Sequence, residues 1–185
     1  MILDIFISIF GILYLLLLSK NKREAWITFA LYALLMIFKT YKLNIYANMF
    51  VNTLILVMSI INYIKWSNIK TDTNVKISFL TKKEKVFYLS MILCVFFVFY
   101  IILIKFINGG NSQFMDAFGV TFSITAMPLL KEKKIEGWLC YVFSDITKGF
   151  LFLINGAYII SVLCFFFTIL DVNGFLKWKN KKGTY

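Results

Sequence analysis

The sequence predicts an all-α membrane protein of seven transmembrane helices, arranged as two parallel three-helix repeats joined by a linker helix. Three observations predict it: the composition, a duplication at fixed offset, and the alternation of basic loops. Hydrophobic residues make up 61% of the 185, mean hydropathy is +0.81, and there is one proline, a balance far from that of a soluble globular domain. Residues 4–70 align with 116–182 at an offset of 112 without a gap. The copies share Asp4/Asp116, Phe6/Phe118, Ile12/Ile124, Lys22/Lys134, Glu24/Glu136, Trp26/Trp138, Tyr46/Tyr158, Lys65/Lys177, Trp66/Trp178 and Lys70/Lys182. Chance matches between apolar runs would favour Leu, Ile and Phe, so matched charges and tryptophans mark a duplication.

The first repeat carries apolar stretches at Ile2 to Ser19, Ala25 to Tyr41 and Ile45 to Ile64; the second at Ala117 to Leu130, Trp138 to Leu153 and Tyr158 to Leu176. Val86 to Ile107 lies between them. At ~1.5 Å per residue most of these can cross a ~30 Å hydrocarbon layer, and the two shorter ones are expected to extend into their polar flanks. The implied divisions are 1–70, 71–112 and 113–185. The first stretch lacks a basic start and a small-residue cleavage site, carries Asp4 and has a repeat mate, so it is expected to be a span and not a signal peptide.

Basic residues fall in alternate loops. Lys20, Lys22 and Arg23 follow the first span; Lys65, Lys70, Lys76, Lys82, Lys83 and Lys85 follow the third; Lys131, Lys133 and Lys134 follow the fifth; Lys177, Lys179, Lys181 and Lys182 close the chain. The positive-inside rule then places the N-terminus outside and the C-terminus in the cytoplasm. Lys39 and Lys42 dissent and are expected to snorkel. The net charge of +11 reads as topology and contact with anionic lipid, not nucleic acid. Equivalent helices are four spans apart and therefore parallel, which is what the odd linker helix achieves.

Absences remove other classes. There is no His, no phosphate-binding glycine-rich motif with a following Lys, and no C-x-x-C; Cys94, Cys140 and Cys164 all lie within spans and read as packing residues. No cofactor is expected, and no enzyme, since Asp145 has no second catalytic carboxylate at comparable depth.

An acid well inside a membrane helix is a functional candidate by default. Trp138, Tyr141, Asp145, Lys148 and Phe152 share one helical face, and two aromatic rings followed by an acid suit a flat, cationic ring. The plainer reading makes Trp138 an interfacial anchor and lets Asp145 and Lys148 neutralise each other. Opposite Tyr141, Ser144, Asp145 and Lys148 the first copy has Phe29, Tyr32, Ala33 and Met36, so polarity is concentrated in one repeat. Asn52, Ser59 and Tyr63 form a stripe on the third span; Cys164, Thr168 and Asp171 form its counterpart on the seventh, with Asn173 and Gly174 beyond. Such groups also serve as interhelical hydrogen-bonding partners, and Asp171 can be read as pairing with Lys177. Pro128 is a candidate kink.

Glu136-x-Trp138-x-x-Tyr141-x-x-x-Asp145, Gly156-x-Tyr158 and Asn173-Gly174 ahead of Trp178 resemble the second half of the PnuC family of vitamin transporters, and Asn44-Ile-Tyr46-Ala47 to Trp66 resembles its first half. The resemblance implies a seven-helix fold similar to SWEET sugar transporters, a homo-oligomer, often a trimer, and uptake of nicotinamide riboside, thiamine or deoxynucleosides by facilitated diffusion with trapping by a cytoplasmic kinase. The substrate site is expected at Trp138, Tyr141, Asp145, Asn52, Asn173, Tyr32 and Thr168. The nicotinamide riboside branch has W-x-x-W-x-x-x-N on the sixth span, where this chain has Tyr141 and Asp145; Tyr32 stands for an Asn and Asn52 for a Gln. A non-transporting membrane scaffold is the rival, and it leaves the one-sided clustering of polar residues without a reason.

Overall fold

The structure, a computed structural model, describes residues 2–19, 22–66, 77–106 and 112–182. It comprises α1 (Ile2–Ser19), α2 (Ala25–Lys42), α3 (Tyr46–Trp66), α4 (Lys82–Phe106), α5 (Gln113–Lys131), α6 (Glu136–Ile154) and α7 (Tyr158–Lys182), with a single isolated bridge, Ser78 to Lys134, as the only β pairing among the described residues. The short apolar cores at Ala117 and Trp138 do extend into their flanks. α3, α4, α6 and α7 are each long and apolar enough to cross a membrane, while α1 is apolar over Ile2–Leu17. The polar residues that lower the hydropathy of α2 and α5 are largely turned inward: Thr40, Asp116, Thr121, Ser123 and Thr125 are all buried. α5 runs through Pro128 to Lys131. Lys20, Lys70 and Lys76 lie outside the described residues.

Each repeat is a bundle with its second helix in the middle: α2 packs on α1 and α3, and α6 on α5 and α7. The repeats meet through α1 against α7 and α3 against α5, and α4 covers α5 and the edge of α3. Directions follow from which ends touch. Asp4 at the start of α1 pairs with Lys39 at the end of α2 at 2.8 Å, so these helices are antiparallel. Asp116 at the start of α5 accepts hydrogen bonds from Ala47 N and Asn48 N at the start of α3, both 2.9 Å, so α3 and α5 are parallel. Gln113 bonds the Leu103 carbonyl near the end of α4, which makes α4 antiparallel to α5. The repeats therefore run the same way, as the loop parity requires.

The duplication is visible in backbone detail. Asn44, at φ 57°, and Gly156, at φ 71°, are repeat mates and hold the same left-handed position between their helices. Ile45 N bonds the Thr40 carbonyl at 2.9 Å and Ala157 N bonds the Phe152 carbonyl at 2.8 Å. Each closes the preceding helix with a six-to-one bond, the helix-stop geometry that a Gly or Asn in the left-handed region permits.

One expectation is overturned. Lys39 does not snorkel: its side chain is 16% exposed and holds Asp4 in a nearly buried ion pair. Neutralisation inside the bundle removes the dissent from the charge pattern more completely than exposure at a helix end, because neither charge has to reach water. Lys42, by contrast, is exposed at the end of α2.

Candidate functional site

The middle helices, α2 and α6, do not pack directly on each other; they face across the line between the repeats, flanked by α1 and α7 on one side and α3 and α5 on the other. Their inward side chains decide what lies between. Met36 from α2 and Phe152 from α6 meet in a core with Ile7, Ile160 and Cys164, which closes the end of the bundle toward Asp4. One turn before Phe152 come Lys148 and Asp145, with side chains 15% and 13% exposed.

Lys148 is positioned from α5. Its ammonium donates to Ser123 Oγ at 2.5 Å, Ser123 Oγ lies 2.6 Å from Ser144 Oγ, and Ser144 Oγ donates to the Gly119 carbonyl at 2.8 Å. The same ammonium is 3.8 Å from Asp145 Oδ1, a looser contact than the one to Ser123. Lys148 is thus shared between the α5–α6 seam and its ion-pair partner Asp145, which has further neighbours of its own. Asp145 lies within electrostatic reach of Tyr32 on α2 and Cys164 on α7, and within hydrogen-bonding reach of Asp171. Asp171, on the stripe of Cys164 and Thr168, is therefore part of this cluster. Its Oδ2 is buried and has no hydrogen-bond partner among the described residues.

Aromatic rings complete the walls. On α2, Phe29 stacks on Tyr14 at 3.8 Å between centroids with planes 8° apart, and on Tyr32 at 6.0 Å. Gly11 makes room for this: a Cβ there would stand 3.3 Å from the Tyr32 ring and 3.1 Å from Phe167. On α6, Trp138 meets Trp178 edge-on at 5.4 Å and lies against Gly174, where a Cβ would come within 2.7 Å of the indole. The Trp138 N–H is buried without a partner among the described residues. An interfacial anchor keeps that group in the headgroup region, so the packing favours a place inside the bundle. Tyr141, half-buried, is a neighbour of Tyr14, Asp145 and Asp171.

Of the residues singled out in the sequence, Tyr32, Tyr141 and Asp145 come together, and Trp138 is one turn from Tyr141. Asn52 and Thr168 are turned to their own helices: Asn52 Nδ2 donates to the Asn48 carbonyl at 2.8 Å and Thr168 Oγ1 to the Cys164 carbonyl at 3.1 Å. Asn173 is exposed on α7 beside the Gly174 that seats Trp138. Two residues of the cluster escaped the sequence reading of the site. Tyr14 has Ala126 as repeat mate, and that aromatic-for-small exchange was the available signal; Asp171 needed the α6–α7 packing to be seen beside Asp145. As expected, Cys140 and Cys164 are buried, and Cys94 faces outward; all three are free.

A family model described as nicotinamide mononucleotide transporter matches residues 1–180. The nicotinamide riboside transporters PnuC of Escherichia coli (strain K12) and Shigella flexneri are each 31% identical over 67 residues, 36% of this chain and 28% of each relative. The fold is similar to that of the crystal structure of the vitamin B3 transporter PnuC, with a TM-score of 0.73 at 18% identity over 96% of this chain and 80% of that one.

Proposed function

The chain belongs to the nicotinamide mononucleotide transporter family, and on that premise we propose that it takes up nicotinamide riboside, or a closely similar vitamin or nucleoside, by facilitated diffusion across a bacterial inner membrane. The N-terminus is outside, the basic end is cytoplasmic, and a cytoplasmic kinase traps the product. The observation that carries this reading is Asp145, held at mid-bundle on α6 within electrostatic reach of Tyr32 of α2, with Lys148 shared between Asp145 and Ser123. Two carboxyl groups and one lysine at the meeting of the repeats favour a cation, and Tyr32, Tyr141 and Trp138 offer ring faces for a flat heterocycle. Nicotinamide riboside and thiamine both carry such a ring; a neutral deoxynucleoside uses Asp145 only as an acceptor, and this ranks it third.

Protein reconstituted in liposomes is expected to equilibrate nicotinamide riboside and then stop. Uphill accumulation under an imposed pH or sodium gradient, with no kinase inside, would sink the passive mechanism, and the pH arm is the sharper one because two acids share the site. Cysteines at Asn111 and Lys181 are expected to label from opposite sides; Asn111 and the side chain of Lys181 lie outside the described residues, and Gly156→Cys and Lys133→Cys make the same test within them. These mark opposite ends of the bundle and should label from opposite sides of the membrane.

A further inference from the structure

We propose that a groove on the outer surface, between α4, α5 and α6, binds an anionic phospholipid, with one acyl chain along the groove and the phosphate on Lys85 and Lys82. The groove, of ≈ 200 Å³, is walled by Leu89 and Ile92 of α4, Phe122 and Leu129 of α5, and Leu139 and Phe143 of α6, and ends at Lys85 and Glu136. Its walls are almost wholly carbon. From Lys85 to Ile92, and from Glu136 to Phe143, it runs seven residues along each helix, about 10 Å at the α-helical rise, from the basic end toward the middle of the bundle. That is the direction in which an acyl chain descends from a headgroup.

Charge at the mouth selects the headgroup. Two of the three glutamates at this end are already engaged: Glu84 holds Lys134 at 2.7 Å, and Glu136 takes the Leu80 N–H at 3.0 and 3.1 Å on its two oxygens, while Glu132 is exposed near Tyr88. Lys82, Lys83 and Lys85 are exposed and form no ion pair among the described residues. Lys82 and Lys85 are three residues apart and so project from one side of α4. An apolar channel ending in uncommitted lysines fits a lipid of net negative charge better than a neutral or zwitterionic one, whose phosphate is already balanced by its own cation. A second copy of the chain is the weaker occupant, because seating a copy's own basic end here would bring like charges together. The substrate is weaker still, for the polar groups of the lining sit at its end or are bonded within α5, as Thr125 is to the Thr121 carbonyl, and the walls between are apolar.

Delipidated full-length protein titrated with dioleoyl phosphatidylglycerol or dioleoyl phosphatidylcholine, and read by native mass spectrometry, tests this. Phosphatidylglycerol should be retained preferentially, and Lys82→Gln with Lys85→Gln should lower its retention by about five-fold per lysine. Leu139→Trp, which fills the groove and leaves the lysines in place, should lower retention as well; Lys177→Gln with Lys179→Gln should not. Equal loss in the Lys177/Lys179 pair, or indifference to Leu139→Trp, would overturn the proposal. Disulfide-linked copies through Leu139→Cys, in a Cys94→Ser, Cys140→Ser, Cys164→Ser background, would assign the groove to an interface between protomers instead.

Discussion

The two repeats share a backbone and differ in what they carry at its centre. At the position where the second repeat has Ser123, the first has Gly11; Ser144 is matched by Tyr32, Asp145 by Ala33, and Lys148 by Met36. In the second repeat these side chains form a chain of hydrogen bonds from Lys148 through Ser123 and Ser144 to the Gly119 carbonyl. In the first, Gly11 lets the Tyr32 ring lie against α1, and Phe29 and Tyr14 stack beside it. The second repeat offers charge together with the rings of Trp138 and Tyr141, and the first offers rings without charge. A symmetric frame with unlike walls suits a ligand with two unlike ends, a charged ring and a hydroxylated sugar being one case.

The first-turn acids diverge in the same way. Asp116 accepts two backbone N–H groups and the Asn48 side chain, at 2.6 to 2.9 Å, and so caps α3. Its mate Asp4 pairs with Lys39, whose own mate is the buried Leu151. One acid ties the two repeats together across α3 and α5, and the other ties α1 to α2 inside the first repeat.

Making the first repeat resemble the second should cost most at Lys39. Lys39→Leu leaves Asp4 nearly buried without its lysine, a loss of about 3 kcal/mol by the usual cost of breaking a buried pair. Thermal unfolding in detergent measures it, and Asp4→Leu added to Lys39→Leu should recover much of the loss. If Lys39→Leu alone melts like the wild type, the ion pair contributes nothing to the fold.

Asp145→Asn moves the second repeat toward the neutrality of the first and is expected to weaken binding of a cationic substrate by ~1 to 3 kcal/mol. A neutral deoxynucleoside should change much less, because Asn keeps an acceptor. Binding of nicotinamide riboside, thiamine and deoxynucleosides to the purified protein reads both, and no change for the true substrate in Asp145→Asn and Trp138→Ala places the pocket elsewhere.

Gly174→Ala tests the seat of Trp138, a position the first repeat fills with Asn62. A Cβ 2.7 Å from the indole forces the ring to move, and about 1 kcal/mol of stability should go with it. A quantitative shift in tryptophan fluorescence would accompany the loss; unchanged emission would mean the ring does not rest on that glycine. Smallest of all should be the exchange of turn residues. Gly156→Asn, which writes the first repeat's turn into the second, should cost less than about 1 kcal/mol, since Asn tolerates the left-handed region that Gly occupies freely. A β-branched Val at Gly156 should cost clearly more in the same melting assay.

Much of the frame was legible because it rests on periodic signals. Apolar length, the ungapped offset and the parity of the basic loops all repeat along the chain, and each constrains the same arrangement of helices. Lys39 was misread because a lysine beside a turn looks alike in sequence whether it snorkels or pairs; its partner Asp4 is 35 residues away. Asp171 was left open for the same reason: Lys177 is near in sequence, whereas Asp145 is near only once α6 and α7 pack. Asn52 and Thr168 were placed on the right stripes, but a stripe does not tell a hydroxyl or amide whether to bond its own helix or a ligand.

The sequence by itself determined the membrane setting, the number and order of helices and the parallel duplication, because hydrophobic matching and loop charge act on each segment separately. Only the tertiary structure decided which polar groups meet: Lys148 with Ser123, Asp145 with Asp171, Lys39 with Asp4. In a medium without water every buried donor and acceptor is best satisfied within the protein, but which partner it finds depends on helix rotation and on the small residues that let helices approach. Those are properties of the packed bundle: a Cβ on Gly119 would stand 3.4 Å from Lys148 and 3.6 Å from the Ser144 carbonyl, at the seam where that lysine is held.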